Sequence, residues 1–537
     1  MSEQITERKP LLKRRPTGKF KMQPFQEEDL TFLSELDYSA NWSEMGAMKT
    51  TTAEWLTELK LKHIPNPRVL VITTKSGKGT YLESLWEVLP EWEVFTINHN
   101  KTRIVVGGSP APFDVKLPDP LFPRPIVVVA HYHCFTNRAC IPAIVEEVDE
   151  RGYKRPVMLP DGRFKTTEPK HMNLLLQHWD MVIIDEAHRI KNPDAEWTKN
   201  IKKIKTNYKH AMTGTGFIND PSEVWSIANW LYPATYTSYW KFREKYCLEE
   251  NFSGYRKVVG INPEHEAEFR DLIRRIGVRR SMLEIFPDIK EPIETVIPVE
   301  LNATQRKMYN EIRDDLMTMD AAGVPLHSPN VLSMLNRLRQ ICVATPEIIS
   351  DEYDPVAERR IIKVKLVESS SKLDAVMELL DGLEWSTENR DQLVIFSSFK
   401  DPLELLKVRL DKKNIPFLHL HAGMNEQDRY KMWHDTWPKK EHRVFLCTLA
   451  VGSESINLTS AHRAVFLDQS WSPKDNTQAI GRIYRPGQEN ACQLIYIRAE
   501  GTVDDRILAT NQEKMGWFKQ IFGNPNEEED DGNGVEV

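Results

Sequence analysis

The sequence MVIIDEAH, from Met181 to His188, decides the fold of this chain. Its first four residues are apolar without interruption, which is typical of a parallel strand buried on both faces of a sheet. Asp185 and Glu186 follow at the point where such a strand ends. Because ligands of open α/β sheets bind at the carboxyl ends of the strands, these two acids predict a functional site as well as a strand.

Similar apolar runs recur in the first and last thirds of the chain, with helical patterns between them. In the first third the runs are Arg68 to Thr73 and Pro125 to Ala130, and the helical patterns are Thr52 to Lys62 and Tyr81 to Leu89. In the last third the runs are Gln392 to Ser397, Arg443 to Thr448, Ala464 to Asp468 and Gln493 to Ile497. This alternation predicts an α/β fold with two doubly wound parallel-sheet lobes.

The middle of the chain, from about Asp220 to Ser350, is rich in Trp, Tyr, Arg and helix formers, which predicts a mostly helical insertion between the lobes. The charged stretch Asp351 to Glu368 predicts a linker or an excursion, and the prolines of Pro110 to Pro125 predict an extended loop. The turn signal Pro160-Asp161-Gly162 predicts a β-hairpin within Val157 to Pro169. The predicted boundaries are a basic N-terminal extension at 1–20, lobe 1 at 21–230, the helical region at 231–365, lobe 2 at 366–520 and an acidic disordered tail at 521–537.

The bulk composition narrows the class of protein. The six cysteines form no CxxC pair, no run of about 18 apolar residues occurs, and the basic N-terminus lacks an apolar core. These features predict a cytoplasmic protein without a membrane span, in the host cell if the source is viral. The net charge of −7 disfavours a nucleic-acid binder that is basic all over, but a protein that holds nucleic acid in a cleft needs positive charge only there. The acids Glu527 to Asp531 predict a solvated tail, with DNA mimicry or partner binding as the alternative.

A possible phosphate site precedes the acidic strand end. Gly46, Lys49 and Thr50 form a Gly-x-x-Lys-Thr turn before a helical pattern, and such a turn places backbone N–H groups and a lysine on phosphates, with the threonine hydroxyl near magnesium. Asp185 can hold magnesium, and Glu186 can orient and deprotonate the attacking water. Each pattern is weak alone. Together with Thr213-Gly214-Thr215 downstream, they predict an ATP site.

The order of these motifs resembles the Swi/Snf-type ATPases of helicase superfamily two. The resemblance extends over about residues 20 to 515, and the stretches that carry it are Met22 to Gln26, the Gly-x-x-Lys-Thr turn, DEAH, Thr-Gly-Thr, Val278 to Ser281 with Phe286-Pro287, Val299 to Leu301 with Gln305 to Tyr309, Ile456 to Thr459, Asp468 to Pro473 and QAIGRIYRPGQ at Gln478 to Gln488. It implies two RecA-like lobes that clamp one ATP while holding nucleic acid.

The resemblance implies a role for each matching residue. In the nucleotide site, Gln26 would bond adenine, Gly46, Lys49 and Thr50 would bind the triphosphate and Mg²⁺, Asp185 would hold Mg²⁺, Glu186 would be the base, and Gln478 would help to close the cleft. His188, Thr213 and Thr215 would couple hydrolysis to lobe movement. Without the surrounding motifs, Gln26 would be interpreted as a surface glutamine of a helix.

The arginine pair carries the strongest signal of the second lobe. Arg482 and Arg485 are three residues apart, so on a helix they share one face. Two guanidinium groups that face the γ-phosphate would neutralise charge in the transition state, which is worth ~10³–10⁵ in rate. The alternative is plain surface charge.

Nucleic-acid contacts are implied at loops that follow strands. The candidates are Thr74 to Ser76, the vicinity of His131, Ser397 to Phe399 including Ser398, His421 to Gly423, Thr448, Asn457 and Trp471. Hydroxyl and backbone N–H groups there would bind phosphate oxygens without reading sequence. Trp471 would stack on a base, or it is an ordinary core or interface tryptophan.

The chain departs from the family pattern at several positions. Met48 replaces the glycine before the lysine, which predicts a distorted loop and slow hydrolysis, because Met tolerates unusual backbone angles poorly. Gly216 stands where proline is usual, and Ser453 and Ser455 stand where glycines are usual. The compact build, without a visible chromatin-reading module, resembles bacterial or viral members.

Three functions follow as hypotheses. The first is an ATP hydrolase that translocates along double-stranded DNA, with RNA as the alternative polymer and protein partners unspecified. The second is a helicase that separates strands of DNA or RNA, with 157–169 as its possible pin. The third, suggested by Met48, is a clamp that binds ATP without hydrolysing it.

Overall fold

The computed structural model describes residues 21–522 except 75–76, 99–100, 107–108, 112–123, 141–145, 149–153, 160–171, 215–219, 253–254, 322–328, 355–358, 387–389 and 453–455. The described residues form two compact units. The first takes its residues from 1–217, 221–246 and 264–281, and the second from 218–220, 247–263 and 282–537.

The strands of the described residues alternate with helices in both units. In chain order the strands are β1 (Tyr38–Asn41), β2 (Arg68–Thr73), β3 (Glu93–Asn98), β4 (Lys101–Val106), β5 (Ser109–Ala111), β6 (Ile126–His131), β7 (Glu146–Val148), β8 (Lys154–Pro156), β9 (His178–Asp185), β10 (Lys205–Met212), β11 (Cys247–Phe252), β12 (Tyr255–Ile261), β13 (Gly277–Val278), β14 (Ile293–Val299), β15 (Thr345–Asp354), β16 (Arg359–Val367), β17 (Leu393–Ser397), β18 (Phe417–Leu420), β19 (Val444–Thr448), β20 (Arg463–Phe466) and β21 (Gln493–Ala499).

The α-helices are, in the same order, α1 (Pro24–Glu35), α2 (Lys49–Leu61), α3 (Gly77–Val88), α4 (Asn137–Cys140), α5 (Met172–Leu176), α6 (Glu196–Ile201), α7 (Val224–Leu231), α8 (Tyr239–Tyr246), α9 (Glu266–Ile276), α10 (Met282–Ile285), α11 (Ala303–Ala321), α12 (Pro329–Val343), α13 (Ser371–Gly382), α14 (Lys400–Lys412), α15 (Glu426–Tyr430), α16 (Leu449–Gly452), α17 (Pro473–Ile480) and α18 (Val503–Phe522). Short 3-10 helices cover Tyr132–Phe135, Ala187–Ile190, Pro221–Glu223, Pro263–His265 and Trp437–Lys439, and a π-helix covers Lys431–Thr436. Each helix in the described part of the chain is too short or too polar to cross a membrane.

The first unit contains a nine-stranded sheet of order β13-β1-β10-β9-β2-β6-β3-β4-β5. Its strands are parallel from β13 to β3, and β4 and β5 continue it antiparallel. The apolar runs at β2, β6 and β9 are buried on both faces, as the sequence predicts for parallel strands.

The second unit contains a six-stranded sheet of order β14-β21-β20-β17-β19-β18 in which each neighbouring pair is parallel. Alternate residues of its strands enter two separate cores. Val394, Phe396 and Phe445 belong to one, and Leu393 and Ile395 belong to the other. Apolar side chains therefore cover both faces, which is the doubly wound arrangement. The predicted fold class, two parallel-sheet α/β lobes with an insertion, is confirmed.

The region between the sheets is less purely helical than its composition predicts. Helices α7 to α12 lie in it, and so do the antiparallel pair β11 and β12 and the edge strand β14. Of the two alternatives for the charged stretch after Ser350, the structure agrees with the excursion and not with the linker, because β15 and β16 pair antiparallel along nearly its whole length. The predicted loop at 110–125 and hairpin at 157–169 lie mostly outside the described residues.

Candidate functional site

The loop of residues 42–48 connects β1 to α2 at the carboxyl edge of the first sheet, and it is called the phosphate loop below. Gly46 has a φ of 84°, and Met48, the residue before α2, has φ 52° and ψ 29°. Met48 thus adopts the left-handed conformation that a glycine takes without strain, at a cost of roughly 1–2 kcal/mol. The turn that the sequence predicts is therefore formed. Because Met48 stands where the family pattern has glycine, the backbone at this residue is strained.

Lys49, the first residue of α2, points its amine back into this loop. Its Nζ donates to the carbonyl oxygens of Ser43 at 2.8 Å and Glu44 at 2.6 Å. These two carbonyl oxygens thus hold the ammonium group inside the loop. In the predicted nucleotide complex, phosphate oxygens would take their place. The N–H groups of the first turn of α2 point in the same direction, which suits an anion.

Gln26 lies in the first turn of α1 and is buried. Its Nε2 donates to the hydroxyl oxygens of Thr51 at 3.0 Å and Thr52 at 2.9 Å, and its Oε1 accepts from the N–H of Gln23. The residue therefore joins α1 to the first turn of α2. An adenine contact requires these bonds to exchange, so its role in reading adenine stays a prediction.

The two acids of the DEAH sequence lie where β9 ends. Asp185 accepts two hydrogen bonds, from the Thr73 hydroxyl to Oδ2 at 2.8 Å and from the Glu186 N–H to Oδ1 at 2.9 Å. Burial and the neighbouring Glu186 charge raise the pKa of Asp185 to about 7, against the opposing effects of Thr73 and Lys49. A cation at this position would remove the cost of keeping Asp185 ionised.

Glu186 has φ 51° and ψ 49°, the second non-glycine left-handed residue of the site. Its carboxylate is one quarter exposed and lies 3.3 Å from Nδ1 of His188. The same ring nitrogen lies 3.1 Å from the Thr213 hydroxyl, at the end of β10. His188 and Thr213 are both buried, so the ring connects the predicted base to the neighbouring strand end. Thr215 lies outside the described residues.

Gly214 shows why the loop after β10 and the phosphate loop stay close. A Cβ at Gly214 would lie 3.1 Å from the carbonyl oxygen of Ser43 and 3.2 Å from the N–H nitrogen of Met45. Both are backbone atoms that cannot yield easily. The middle residue of Thr-Gly-Thr is therefore glycine because the phosphate loop packs against it.

Two arginines after β13 have a role in the site that the sequence did not assign. Arg279 donates to Glu44 Oε1 at 3.0 Å, and the N–H of Arg280 donates to the Ser43 hydroxyl at 2.9 Å. The Arg280 side chain also reaches Asp29 of α1 at 2.9 Å. These residues fix the loop residues on which Lys49 rests. The resemblance of 278–281 to a family segment marked the place but not this contact.

The arginine pair of the second unit does not lie on a continuous helix, and the prediction of a shared helical face is wrong there. Helix α17 ends at Ile480, and the chain continues in turns closed by the Arg482 and Ile483 N–H groups. Arg482 is buried, with Nε donating to the Gln478 carbonyl at 3.0 Å. Arg485 donates to the Ile456 carbonyl at 3.1 Å, and burial lowers its pKa. Its position is thus fixed by a backbone carbonyl of the segment that follows α16.

A buried ion pair holds the loop that follows β17. Asp468 accepts from the Ser397 hydroxyl at 2.6 Å and from the Ser398 N–H at 3.0 Å. Arg339 of α12 donates to Ser398 Oγ at 2.8 Å, to Asp468 at 3.2 Å and to the Gln469 carbonyl at 2.8 Å. The predicted nucleic-acid segment 397–399 is therefore rigidly supported. Arg339 was missed, because nothing in its helical pattern distinguishes it from a surface arginine.

The other predicted nucleic-acid residues are dispersed over loops. Thr74 accepts from the Gly77 N–H at the end of β2, and Ser76 lies outside the described residues. His421 follows β18 and Thr448 ends β19. Asn457 lines a cavity of about 400 Å³ with Trp433, Lys440 and Gln488 among others.

Trp471 is partly buried and packs against the core cluster that contains Leu301, Tyr309 and Val503. Packing of this kind is the alternative that the sequence left open for this tryptophan. Its carbonyl oxygen accepts from Lys514 of α18 at 3.1 Å. The side chain therefore has a structural function in its own unit, and stacking on a base stays a prediction.

A parallel sheet in which the helix after β1 opens on a lysine-bearing turn, beside an Asp-Glu strand end, is the arrangement of a nucleotide-binding lobe. A second parallel sheet follows it along the chain. This combination defines the class of two-lobed, helicase-type domains.

The SNF2-related domain matches residues 48–347, and the helicase conserved C-terminal domain matches residues 371–487. The chain belongs to the SNF2-related domain family, and the resemblance drawn from its motifs is confirmed.

Relatives of known name share about a quarter of their aligned residues with this chain. The DNA repair and recombination protein RAD26 of Saccharomyces cerevisiae is 26% identical over 361 residues, which are 66% of this chain and 32% of that protein. The putative ATP-dependent helicase/translocase YwqA of Bacillus subtilis is 26% identical over 352 residues, 65% of this chain and 36% of that protein. The matched segment thus spans about a third of each relative. The Sulfolobus solfataricus SWI2/SNF2 ATPase core in complex with dsDNA is similar with a TM-score of 0.38 and 21% identity, over 96% of this chain and 95% of that one.

Proposed function

We propose that this chain is a nucleic-acid-stimulated ATP hydrolase that translocates along double-stranded DNA. The observation that carries the proposal is the cluster in the first unit, where the start of α2 brings Lys49, and the end of β9 brings Asp185 and Glu186, to one edge of the sheet. A lysine for the phosphates, a carboxylate that can hold Mg²⁺ and a second carboxylate that can act as the base are the groups that hydrolysis of a phosphoanhydride needs.

The residues present fit Mg²⁺ and ATP. Asp185 supplies a carboxylate oxygen and Thr50 a hydroxyl, and hard oxygen atoms are the ligands that Mg²⁺ prefers, together with substrate phosphates. When bound, the ion would neutralise the charge of the phosphate oxygens. Gly46 and Lys49 would bind the phosphates, with the amine leaving the Ser43 and Glu44 carbonyls to do so.

Glu186 would accept the proton of the attacking water. His188 touches both Glu186 and Thr213, so its ring can orient this carboxylate and transmit a change from the neighbouring strand end. Arg482 and Arg485 would supply positive charge to the transition state, and turnover would therefore need residues of both units. Gln478, whose carbonyl fixes Arg482, would act with them.

DNA is proposed as the polymer on two grounds. The first is that hydroxyl and N–H groups lie at the ends of β2, β17 and β19, the positions from which such groups grip phosphates without reading sequence. The second is the family. RAD26 is by its name a DNA repair and recombination protein, and YwqA is a putative helicase/translocase.

The test is ATP turnover by the purified chain with duplex DNA, single-stranded DNA, RNA and no polymer. We expect duplex DNA to raise kcat most, with a half-saturating DNA concentration that rises steeply with salt. Equal turnover in all four conditions would contradict the proposal. A triplex-displacement assay beside a strand-separation assay then distinguishes translocation from unwinding, since a translocase displaces only the third strand.

A further inference from the structure

The 3-10 helix Tyr132–Phe135 follows β6 and contacts the turn that carries the predicted base. The Tyr132 side chain is 3% exposed. Its hydroxyl donates to the carbonyl oxygen of Asp185 at 2.5 Å and lies 3.2 Å from the carbonyl oxygen of Glu186. One phenol thus reaches both peptide groups that flank the Cα of Glu186.

These two contacts bear on the direction of the Glu186 side chain. The backbone of Glu186 is left-handed, at φ 51°, and a non-glycine residue keeps such a conformation only when its surroundings enforce it. Fixing the peptide planes before and after a residue fixes where its Cα–Cβ bond points. Tyr132 therefore helps to aim the carboxylate, although it does not touch it.

The same 3-10 helix is tied to a second side of the DEAH turn. Asn200 of α6 donates to the Phe135 carbonyl at 2.8 Å, and Trp197 of α6 donates to the Arg189 carbonyl at 3.3 Å. The ring of the exposed His133 lies 5.9 Å from the Trp197 ring, centroid to centroid. The 3-10 helix is thus connected to both ends of the DEAH turn, through Tyr132 at one end and through α6 at the other.

We propose that Tyr132 is a positioning residue that links the segment after β6 to Glu186, so that nucleic acid bound at that segment raises ATP turnover. The inference rests on the proposed function, and on the nucleic-acid contact near His131 that the resemblance implies. It adds the physical route of stimulation. Nucleic acid bound on the outer side of the 3-10 helix stabilises this helix. Through its two hydrogen bonds, Tyr132 then stabilises the backbone of Glu186, the predicted general base.

The experiment replaces Tyr132 by Phe, which removes one oxygen and keeps the ring. We expect kcat at saturating duplex DNA to fall about tenfold, the effect of one lost hydrogen bond on the transition state. The half-saturating DNA concentration and the dissociation constant for ATP should stay within twofold of the parent. Tyr232→Phe is the matched control, because the Tyr232 hydroxyl also donates to a backbone carbonyl at 2.5 Å, but at Tyr38, where β1 begins.

A second variant separates positioning from general destabilisation. His133→Ala changes the outer side of the same helix, so we expect it to raise the half-saturating DNA concentration several-fold while kcat at saturation is kept. Tyr132→Phe with parental kcat, or a loss equal to that of Tyr232→Phe, would overturn the inference. If no polymer raises turnover by the parent, the proposed function fails. If duplex DNA raises turnover by the parent and by the Tyr132→Phe variant equally, only the role of Tyr132 fails.

Discussion

At the scale of single residues, the site is marked by two side chains in a backbone conformation that favours glycine. Met48 and Glu186 both have φ near 50°, and both lie at positions from which chemistry is expected. Strain of this kind is kept where a function requires the geometry. For Glu186 the contacts with Tyr132 provide the restraint, whereas at Met48 the family pattern has glycine, so the strain there is avoidable.

Replacement of Met48 by Gly should stabilise the first unit. The left-handed conformation costs roughly 1–2 kcal/mol for Met, and the greater chain entropy of Gly offsets roughly 0.5–1 kcal/mol of that gain. We expect the Tm of the first unit to rise by about 2–4 °C per kcal/mol gained. Met48→Ala keeps the Cβ and the strain, so a Tm of Met48→Gly no higher than that of Met48→Ala would refute the explanation.

Replacement of Glu186 by Gln should abolish turnover and keep nucleotide binding. The amide cannot accept the proton of water, and general-base catalysis is typically worth 10²–10⁴-fold. Single-turnover ATP hydrolysis measures the loss, with Glu58→Gln, an exposed carboxylate of α2, as the control. Background turnover in the parent that Glu186→Gln leaves unchanged would favour the non-hydrolysing clamp.

At the scale of elements, buried cations join helices to the ends of strands in the second sheet. Arg339 of α12 reaches the loops after β17 and β20, and Lys372 of α13, fully buried, donates to the Leu467 carbonyl at 2.7 Å and pairs with Asp504. The side chains of Arg339 and Asp468 are 11% and 2% exposed. A loop that must hold phosphates gains rigidity from such support.

Replacement of Arg339 by Met should destabilise the second unit by about 3–5 kcal/mol, because Asp468 would remain buried without its cation. Adding Asp468→Asn should recover part of the loss, and a double-mutant cycle on unfolding free energy measures the coupling. Arg337→Met is the control, since Arg337 lies on the same helix and bonds Gln340 there. Additive losses in the cycle would show that the ion pair contributes nothing.

At the scale of the whole molecule, buried titratable groups make the stability of the fold depend on pH. In the first unit, burial and the nearby Lys60 lower the pKa of His210 to about 3, and its Nδ1 lies 2.9 Å from the Ser39 hydroxyl. Burial raises the pKa of Asp185 to about 7, so these two groups act in opposite directions between pH 4 and 6.5.

The His210→Asn variant should isolate one of these effects. Below pH 6.5, the ordinary pKa of histidine, His210 is protonated in the unfolded chain but stays neutral in the folded chain. The contribution of the neutral His210 to stability is therefore lost as the pH falls towards 3. From pH 6.5 to 5, the stability of the variant relative to the parent should rise by up to about 1.4 kcal/mol per pH unit. Thermal unfolding of the first unit measures it, with the exposed His178→Asn as control. A pH-independent difference would contradict the assignment.

Turnover should depend on residues of both units. We expect Lys49→Ala to weaken ATP binding and Arg485→Ala to keep binding while lowering kcat by about 10³-fold or more. Equilibrium binding of a nucleotide and single-turnover hydrolysis distinguish the two losses. Arg313→Ala, an exposed arginine paired with Asp314, serves as control. Parental kcat in Arg485→Ala would remove this arginine from the reaction.

The sequence by itself determined the parallel strands, because an unbroken apolar run such as 181–184 is stable only between two covered faces. It also determined the phosphate loop and the acids after β9, since these motifs are local and their spacing is a property of the chain. Only the tertiary structure decided what Tyr132, Gly214, Arg280 and Arg339 do. Their partners are 53 or more positions away along the chain, and nothing in the neighbourhood of such a residue distinguishes a buried bond from a solvated side chain. The end of α17 was likewise hidden, because the residues after it bond to a distant part of the chain: the Leu458 N–H donates to the Arg482 carbonyl, and Arg485 donates to the Ile456 carbonyl.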